Sequence, residues 1–117
     1  MEQGSLLIVA MAEKCRETIC RSQKPNLALP APLGPKHLLW MCEQIREHAE
    51  RWPAARLHRW MGFLQAGIIA NRMLTLDEAK AMFDTAKNCY GEGGDDRDLI
   101  DHLNAQSAFE IEIGGQG

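Results

Sequence analysis

The sequence predicts an all-α fold: a compact bundle of four to five helices, with a proline-rich strap and a terminal segment that is either a short strand or a tail. Three observations support this. Two long stretches place apolar residues at helical spacing, a capping-box pattern opens a further stretch, and four of the five prolines are confined to residues 24–35. The chain has 117 residues, the usual size of one domain, so we expect one helical domain over residues 1–117.

Residues 5–22 are predicted to form the first helix, with Ser5 as its N-cap. A short apolar run does not define its own period, so a strand over residues 5–10 is the alternative. Glu2 and no lysine or arginine precede this run, which argues against a signal peptide and favours a cytoplasmic location. The apolar surface of this helix is predicted to include Leu6, Val9, Ala10, Ala12, Ile19 and Cys20.

Residues 24–35 are predicted to be an extended connector. Proline fixes φ and has no amide proton, so this density of prolines excludes a helix or a central strand. Because Leu27, Leu29 and Leu33 are apolar, we expect the connector to lie across the helices as a strap.

The second helix is predicted to begin at Pro35 or Lys36 and to end near Arg51. Trp52 precedes a proline and is therefore pushed out of helical geometry, whereas Pro53 suits the first turn of the next helix. The spacing predicts one continuous buried stripe, formed by Leu38, Cys42, Ile45, Ala49 and Trp52.

Residues 54–71 are predicted to form a third helix that is apolar on nearly all sides. Gly62 and Gly67 would each cost roughly 1 kcal/mol relative to alanine inside a helix. We therefore expect a neighbouring helix to approach closely at these glycines. The apolar residues here are Leu57, Trp60, Met61, Phe63, Leu64, Ala66, Ile68, Ile69 and Ala70.

A capping box marks the start of a fourth helix. The Thr75 hydroxyl can accept from the amide of Glu78, whose carboxylate can reach back to the amide of Thr75. The helix is predicted to run from Leu76 to about Cys89, and Gly91 ends it. Its predicted buried residues are Leu76, Ala79, Met82, Phe83, Ala86 and Tyr90.

The C-terminal part of the chain combines a glycine-rich turn with an acidic, apolar segment. Residues 91–96 match neither a phosphate-binding loop nor a calcium loop, and a short fifth helix is predicted over residues 97–103. Phe109, Ile111 and Ile113 then alternate with glutamates, which is typical of a half-buried strand. A single strand has unpaired edges, so this segment pairs with the N-terminal segment, with its own copy or with a partner, or is a tail.

Charge is divided unevenly along the chain, whose formal net charge is −3. Residues 1–72 hold ten Lys/Arg and six Asp/Glu, whereas residues 73–117 hold three Lys/Arg and ten Asp/Glu. Such asymmetry favours a basic and an acidic face that meet within the fold or across a homodimer. The negative total disfavours non-specific binding of nucleic acid.

The cysteine and histidine spacings do not resemble a metal site. Zinc sites use close pairs such as C-x2-C, whereas Cys15 and Cys20, and His37 and Cys42, stand five apart and diverge around a helix. Cys42 and Cys89 lie on apolar stripes, where we expect protonated, unreactive thiols. We therefore expect no metal, no cofactor and no catalytic residue, and keep a small metal- or thiol-dependent enzyme as an alternative.

A basic cluster spans the turn between the second and third helices. It makes a nucleic-acid-binding regulator the other alternative, although residues 54–71 are too apolar to serve as a recognition helix. Ion pairing with Glu43, Glu47 and Glu50 is the competing interpretation. The cluster consists of Arg46, Arg51, Arg56, His58, Arg59 and Arg72.

Three stretches carry a resemblance to known proteins: His-Leu-Leu-Trp-Met-Cys at residues 37–42, Arg-Trp-Met-Gly-Phe-Leu-Gln at 59–65 and Leu-Thr-Leu-Asp-Glu-Ala at 74–79. Over residues 37–83 the chain resembles small uncharacterised proteins of bacteriophages and prophages. In those proteins a H-L-x-W-M stretch precedes R-W-x-G-[FY]-x-Q and an acidic helix start. The resemblance implies a phage-borne setting and supplies no catalytic residues.

These observations predict a non-enzymatic accessory protein that binds another protein in the cytoplasm of a host cell. The partner is a host protein, a second copy in a homodimer, or both. The expected effect is modulation or inhibition of the host protein. The predicted partner-binding residues are Arg46, Arg51, Arg56, Arg59, Phe109, Ile111 and Ile113.

Overall fold

The computed structural model describes residues 3–22, 28–90 and 103, and confirms the predicted all-α bundle. Its helices are α1 (Gln3–Arg21), α2 (Pro35–His48), α3 (Ala54–Ala70) and α4 (Leu76–Tyr90). No strand occurs within this part of the chain. Helix α1 packs against α2, α3 and α4, so it is the element around which the core assembles.

Helix α1 differs from its prediction in its start and in its buried face. It begins at Gln3, so Ser5 lies inside the helix and is not its N-cap, and the alternative strand over residues 5–10 is wrong. Leu6 is 38% exposed and Cys20 is exposed, so these two do not belong to the buried surface. Residues 6–12 are apolar at every position. Packing, and not the local sequence, therefore decides which side of α1 is buried. The buried residues of α1 are Leu7, Ile8, Met11, Ala12, Cys15, Thr18 and Ile19.

The apolar stripe of α2 is confirmed. Leu38, Cys42, Ile45 and Ala49 are buried, and Trp52 is half-buried at the end of the stripe. The α-helix ends at His48, and the carbonyl of that residue accepts the amides of Arg51 and Trp52, both at 2.9 Å.

The strap is anchored to the end of α3. Contrary to the prediction, it is not extended throughout, because Ala31–Leu33 form a 3-10 turn. Leu27 lies outside the described residues. The Asn71 Nδ2 donates to the carbonyls of Leu33 and Gly67, both at 2.7 Å. Because Asn71 is buried, these two hydrogen bonds fix where the chain enters α2.

Helices α2 and α3 touch closely at one of the two glycines that the sequence singled out. A Cβ atom at Gly67 would lie 2.8 Å from Cδ2 and 3.0 Å from Cδ1 of Leu38. Leu38 is fully buried in the core, so its methyl groups have little room to retreat.

Gly67→Ala should therefore destabilise the protein by about 1 kcal/mol, because overpacking (about 1–3 kcal/mol) exceeds the gain of about 1 kcal/mol in helix propensity. In a Leu38→Ala background the same change should be stabilising, since the obstructing methyl groups are gone. Urea unfolding followed by circular dichroism measures both. Stabilisation of the otherwise unchanged chain by Gly67→Ala would contradict the close packing.

Helix α3 ends in a Schellman motif with an arginine where glycine is usual. The amide of Met73 donates to the carbonyl of Ile68 at 3.1 Å, and that of Arg72 to the carbonyl of Ile69 at 2.9 Å. Arg72 has φ of 59°, the left-handed region that a Cβ atom disfavours.

Arg72→Gly should raise the free energy of unfolding by about 0.5–1 kcal/mol, because relief of left-handed strain exceeds the extra freedom of glycine in the unfolded chain. Arg72→Ala is the matched control, since it removes the same side chain and keeps the strain. It should change stability much less. Thermal unfolding of the three proteins tests this, and equal effects of the two substitutions would contradict it.

The capping box at the start of α4 is confirmed. The Thr75 amide donates to Glu78 Oε1 at 2.9 Å, and the Glu78 amide donates to Thr75 Oγ1 at 3.1 Å. The hydrogen bonds from Thr75 lower the pKa of Glu78. Ala79, Phe83 and Ala86 are buried as predicted.

Other predictions for the C-terminal half are wrong or lie outside the described residues. Leu76 is 40% exposed, against the prediction that it is buried. Leu103 is buried in the core cluster. The rest of the predicted fifth helix, the segment 109–113 and the side chain of Tyr90 lie outside the described residues.

Candidate protein-binding surface

A continuous row of rings crosses the outer side of α2 and α3. It contains two histidines, one phenylalanine and all three tryptophans of the chain. We call this surface the aromatic face. Its members are His37, Trp40, His48, Trp52, Trp60 and Phe63.

Each ring of the aromatic face touches the next. Between ring centroids, His37 lies 6.5 Å from Phe63 and 5.3 Å from Trp40. Trp60 lies 5.7 Å from Trp40 and 4.7 Å from Trp52. These separations match those of favourable aromatic pairs, so the rings hold one another in place.

The helix phase explains why these rings are at the surface. Leu38 and Cys42 face the core, and His37 and Trp40 therefore lie to one side of the buried stripe. Trp40 is 49% exposed and Phe63 is 39% exposed. Two large aromatic side chains left in water on one connected patch are a feature of binding surfaces.

Arginines border the aromatic face at the α2–α3 turn. The Arg56 guanidinium carbon lies 3.9 Å from the centroid of Trp52 and 5.7 Å from that of Trp60, which is cation–π geometry. His48 stacks on Trp52, with centroids 4.9 Å apart and planes 14° apart, and its Nδ1 accepts a 2.9 Å hydrogen bond from Arg51. The turn therefore presents positive charge directly beside apolar rings.

The structure divides the predicted partner-binding residues. Arg51 and Arg56 lie at the aromatic face, and Arg59 is an exposed residue of the same helix as Arg56. Arg46 instead pairs with Glu43 at 3.1 Å, one of the glutamates named in the competing ion-pairing interpretation. It also pairs with Glu13 at 3.7 Å.

Three further members of the predicted site cannot be placed. The described residues do not include Phe109, Ile111 or Ile113.

Sequence reasoning missed the aromatic face because it placed Trp52 on the buried stripe of α2 and counted Trp60 and Phe63 as parts of one apolar surface around the third helix. Trp52 and Trp60 are only partly buried, and Trp40 and Phe63 are exposed. One signal was available: Trp40 falls between Leu38 and Cys42 of the stripe, on another side of α2. The contacts between rings of different helices required the fold.

Two of the four cysteines are buried and two are exposed. Burial raises the pKa of Cys15, and burial together with the neighbouring Glu43 raises that of Cys42 to about 12. Cys20 and Cys89 are exposed, so the prediction that Cys89 is buried is wrong. The buried positions of α4 are residues 79, 83 and 86, and Cys89 lies to one side of the line they form.

A concavity of about 330 Å³ opens between the ends of α1 and α3 and the start of α4. Arg21 and Arg72 line it beside Thr18 and Glu78. Both arginines stand at helix C-termini, where a cation offsets the helix dipole, and Glu78 is held in the capping box. The charged side chains of this concavity therefore have structural roles at the ends of helices.

Comparison with protein-family models, with curated proteins and with solved structures finds no match to this chain. Within residues 3–22 and 28–90, no three His, Cys, Asp or Glu side chains are grouped to hold a metal ion. Across the same ranges, none of the helices combines the length and apolar character that a membrane span requires.

In the folded protein, we expect a neutral-pH thiol reagent to modify Cys20 and Cys89 rapidly and to spare Cys15 and Cys42, because burial and the raised pKa leave little thiolate on the latter pair. If the reagent is an aromatic disulfide that releases a coloured thiol anion, the absorbance counts the reactive cysteines before and after addition of urea. Cys20→Ser/Cys89→Ser should abolish the fast phase. Fast labelling that persists in that variant would favour the thiol-dependent enzyme.

Proposed function

We propose that this chain is a non-enzymatic protein-binding module that contacts its partner through the aromatic face. Trp40 and Phe63 are the exposed anchors, and Arg51 and Arg56 provide polar contacts at the rim. Tryptophan and arginine are enriched among the few residues that dominate the energy of protein interfaces. The single observation that carries the proposal is the continuous row of rings, because it offers a large, pre-ordered contact area.

Pre-ordering makes this surface effective. Each ring already contacts another ring, so little side-chain freedom is lost when a partner binds, and immobilising a flexible side chain would cost about 0.5–1.5 kcal/mol. Aromatic side chains also have few rotatable bonds for the area they bury. The loss of side-chain entropy therefore reduces the free energy gained from this contact area only slightly.

A protein fits the aromatic face better than a nucleic acid does. Single-stranded nucleic acid needs open ring faces for base stacking and a positively charged groove for phosphates. Trp52 already stacks on His48 and lies beneath Arg56, Arg46 is paired with glutamates, and the net charge is −3. Nucleic acid is therefore the outcome to be excluded by experiment.

The setting that we propose is the cytoplasm of a bacterial host, with the protein encoded by a phage or prophage. This part rests on the resemblance of residues 37–83 to small phage proteins. A small protein without catalytic groups can modulate or inhibit a host protein by occupying its surface.

Trp40→Ser/Phe63→Ser should reduce partner recovery at least tenfold, since loss of an interface anchor typically costs about 2 kcal/mol or more. The measurement is a pull-down of tagged protein from bacterial lysate, with and without nuclease, read by mass spectrometry. The matched control is Leu6→Ser/Leu76→Ser, which removes two side chains of similar exposure on α1 and α4. It should recover the partner like the original protein.

Two results would contradict the proposal. If only nuclease-sensitive material is recovered, the chain binds nucleic acid. If the Trp40→Ser/Phe63→Ser protein recovers the same nuclease-resistant partner in full, the interaction uses another surface.

A further inference from the structure

The aromatic face selects a partner by charge as well as by apolar contact. Helix α3 carries Arg56 and Arg59 and contains no aspartate or glutamate, and Arg51 lies beside it at His48. An occupant that buries apolar side chains on the rings therefore meets positive charge at the rim. It should present acidic residues interleaved with apolar ones.

The chain itself contains a segment of this composition. Residues 91–117 hold seven Asp/Glu and one Lys/Arg. Within them, Phe109, Ile111 and Ile113 alternate with two glutamates. Seven of the ten Asp/Glu of residues 73–117 therefore lie within residues 91–117.

We propose that residues 109–113 of a second copy occupy the aromatic face. This inference rests on the proposed function, because it takes the aromatic face to be a protein-binding surface. Each copy has one face and one segment, so a reciprocal exchange gives a closed dimer with two equivalent contacts. In this dimer the apolar side chains would cover Trp40 and Phe63, and the negative charge of the segment would lie close to the arginines of the rim.

The reach of the chain limits where the segment can dock. Leu103 is buried in the core, and the six residues from there to Phe109 span at most about 21 Å. This limit applies equally to the face of the same copy and to that of a second copy, so the dependence of association on protein concentration distinguishes the two.

Complementation between two full-length variants tests the exchange. The segment variant is Phe109→Ser/Ile111→Ser/Ile113→Ser, and the face variant is Trp40→Ser/Phe63→Ser. Sedimentation equilibrium should show a dimer for the original protein and at least tenfold weaker self-association for each variant alone. An equimolar mixture should form a heterodimer, because one copy supplies an intact face and the other an intact segment.

Charge and fluorescence provide independent readouts. Glu110→Lys/Glu112→Lys should weaken dimerisation, and added salt should weaken the dimer of the original protein. All three tryptophans lie on the aromatic face, so dilution of the dimer should shift tryptophan emission to longer wavelength. Leu6→Ser/Leu76→Ser should leave association unchanged, and circular dichroism verifies that each variant is helical.

Each alternative occupant gives a different result that overturns the proposal. Dimerisation of the segment variant alone would mean that two faces pack on each other. A monomeric original protein at all concentrations would mean that the occupant is the same copy or a foreign protein. In that event, dependence of the pull-down on Trp40 still decides the proposed function, so the two failures are distinguishable.

Discussion

Helices α2 and α3 approach each other closely where Gly67 faces the methyl groups of Leu38. Because glycine has no side chain, the two helices can approach until Leu38 rests on the backbone of α3. The same pair of helices brings Trp40 and Trp60 to a centroid separation of 5.7 Å. A side chain at Gly67 would collide with Leu38, so the row of rings is built on a helix pair that has little tolerance for added volume.

The bundle places its aliphatic and aromatic residues in different layers. Phe83 is the one aromatic side chain among the fully buried large residues of the described chain, and the others are mostly leucine, isoleucine and methionine. The tryptophans instead pack on one another, and Trp52 and Trp60 are partly buried at the edge of this core. Aromatic area that could stabilise the core is therefore left available for contact with another molecule.

Sequence reasoning succeeded where a local pattern determines the structure. The capping box at Thr75 and Glu78 depends on residues three apart, and the α2 stripe from Leu38 to Ala49 depends on one period. Both were predictable. The same kind of reasoning identified Gly67 as a point of close approach.

Sequence reasoning failed where the rotational phase of a helix, or a tertiary contact, decides which side chains are exposed. The N-terminal run of α1 is apolar at every position, so nothing local shows that Leu6 faces water. The aromatic face depends on contacts between rings that are far apart in sequence. Its edge could have been recognised from the position of Trp40 off the α2 stripe, whereas its continuity with Phe63 through His37 could not.

Burial of Leu103 determines where the chain can be shortened or fused. Thirteen residues beyond the end of α4, a leucine returns to the core cluster. A fragment that stops at Tyr90 would leave a cavity where this side chain packs, and loss of a buried leucine side chain typically costs about 2–5 kcal/mol. Fragments for crystallisation or display should therefore retain Leu103, and affinity tags or fluorescent fusions belong beyond it.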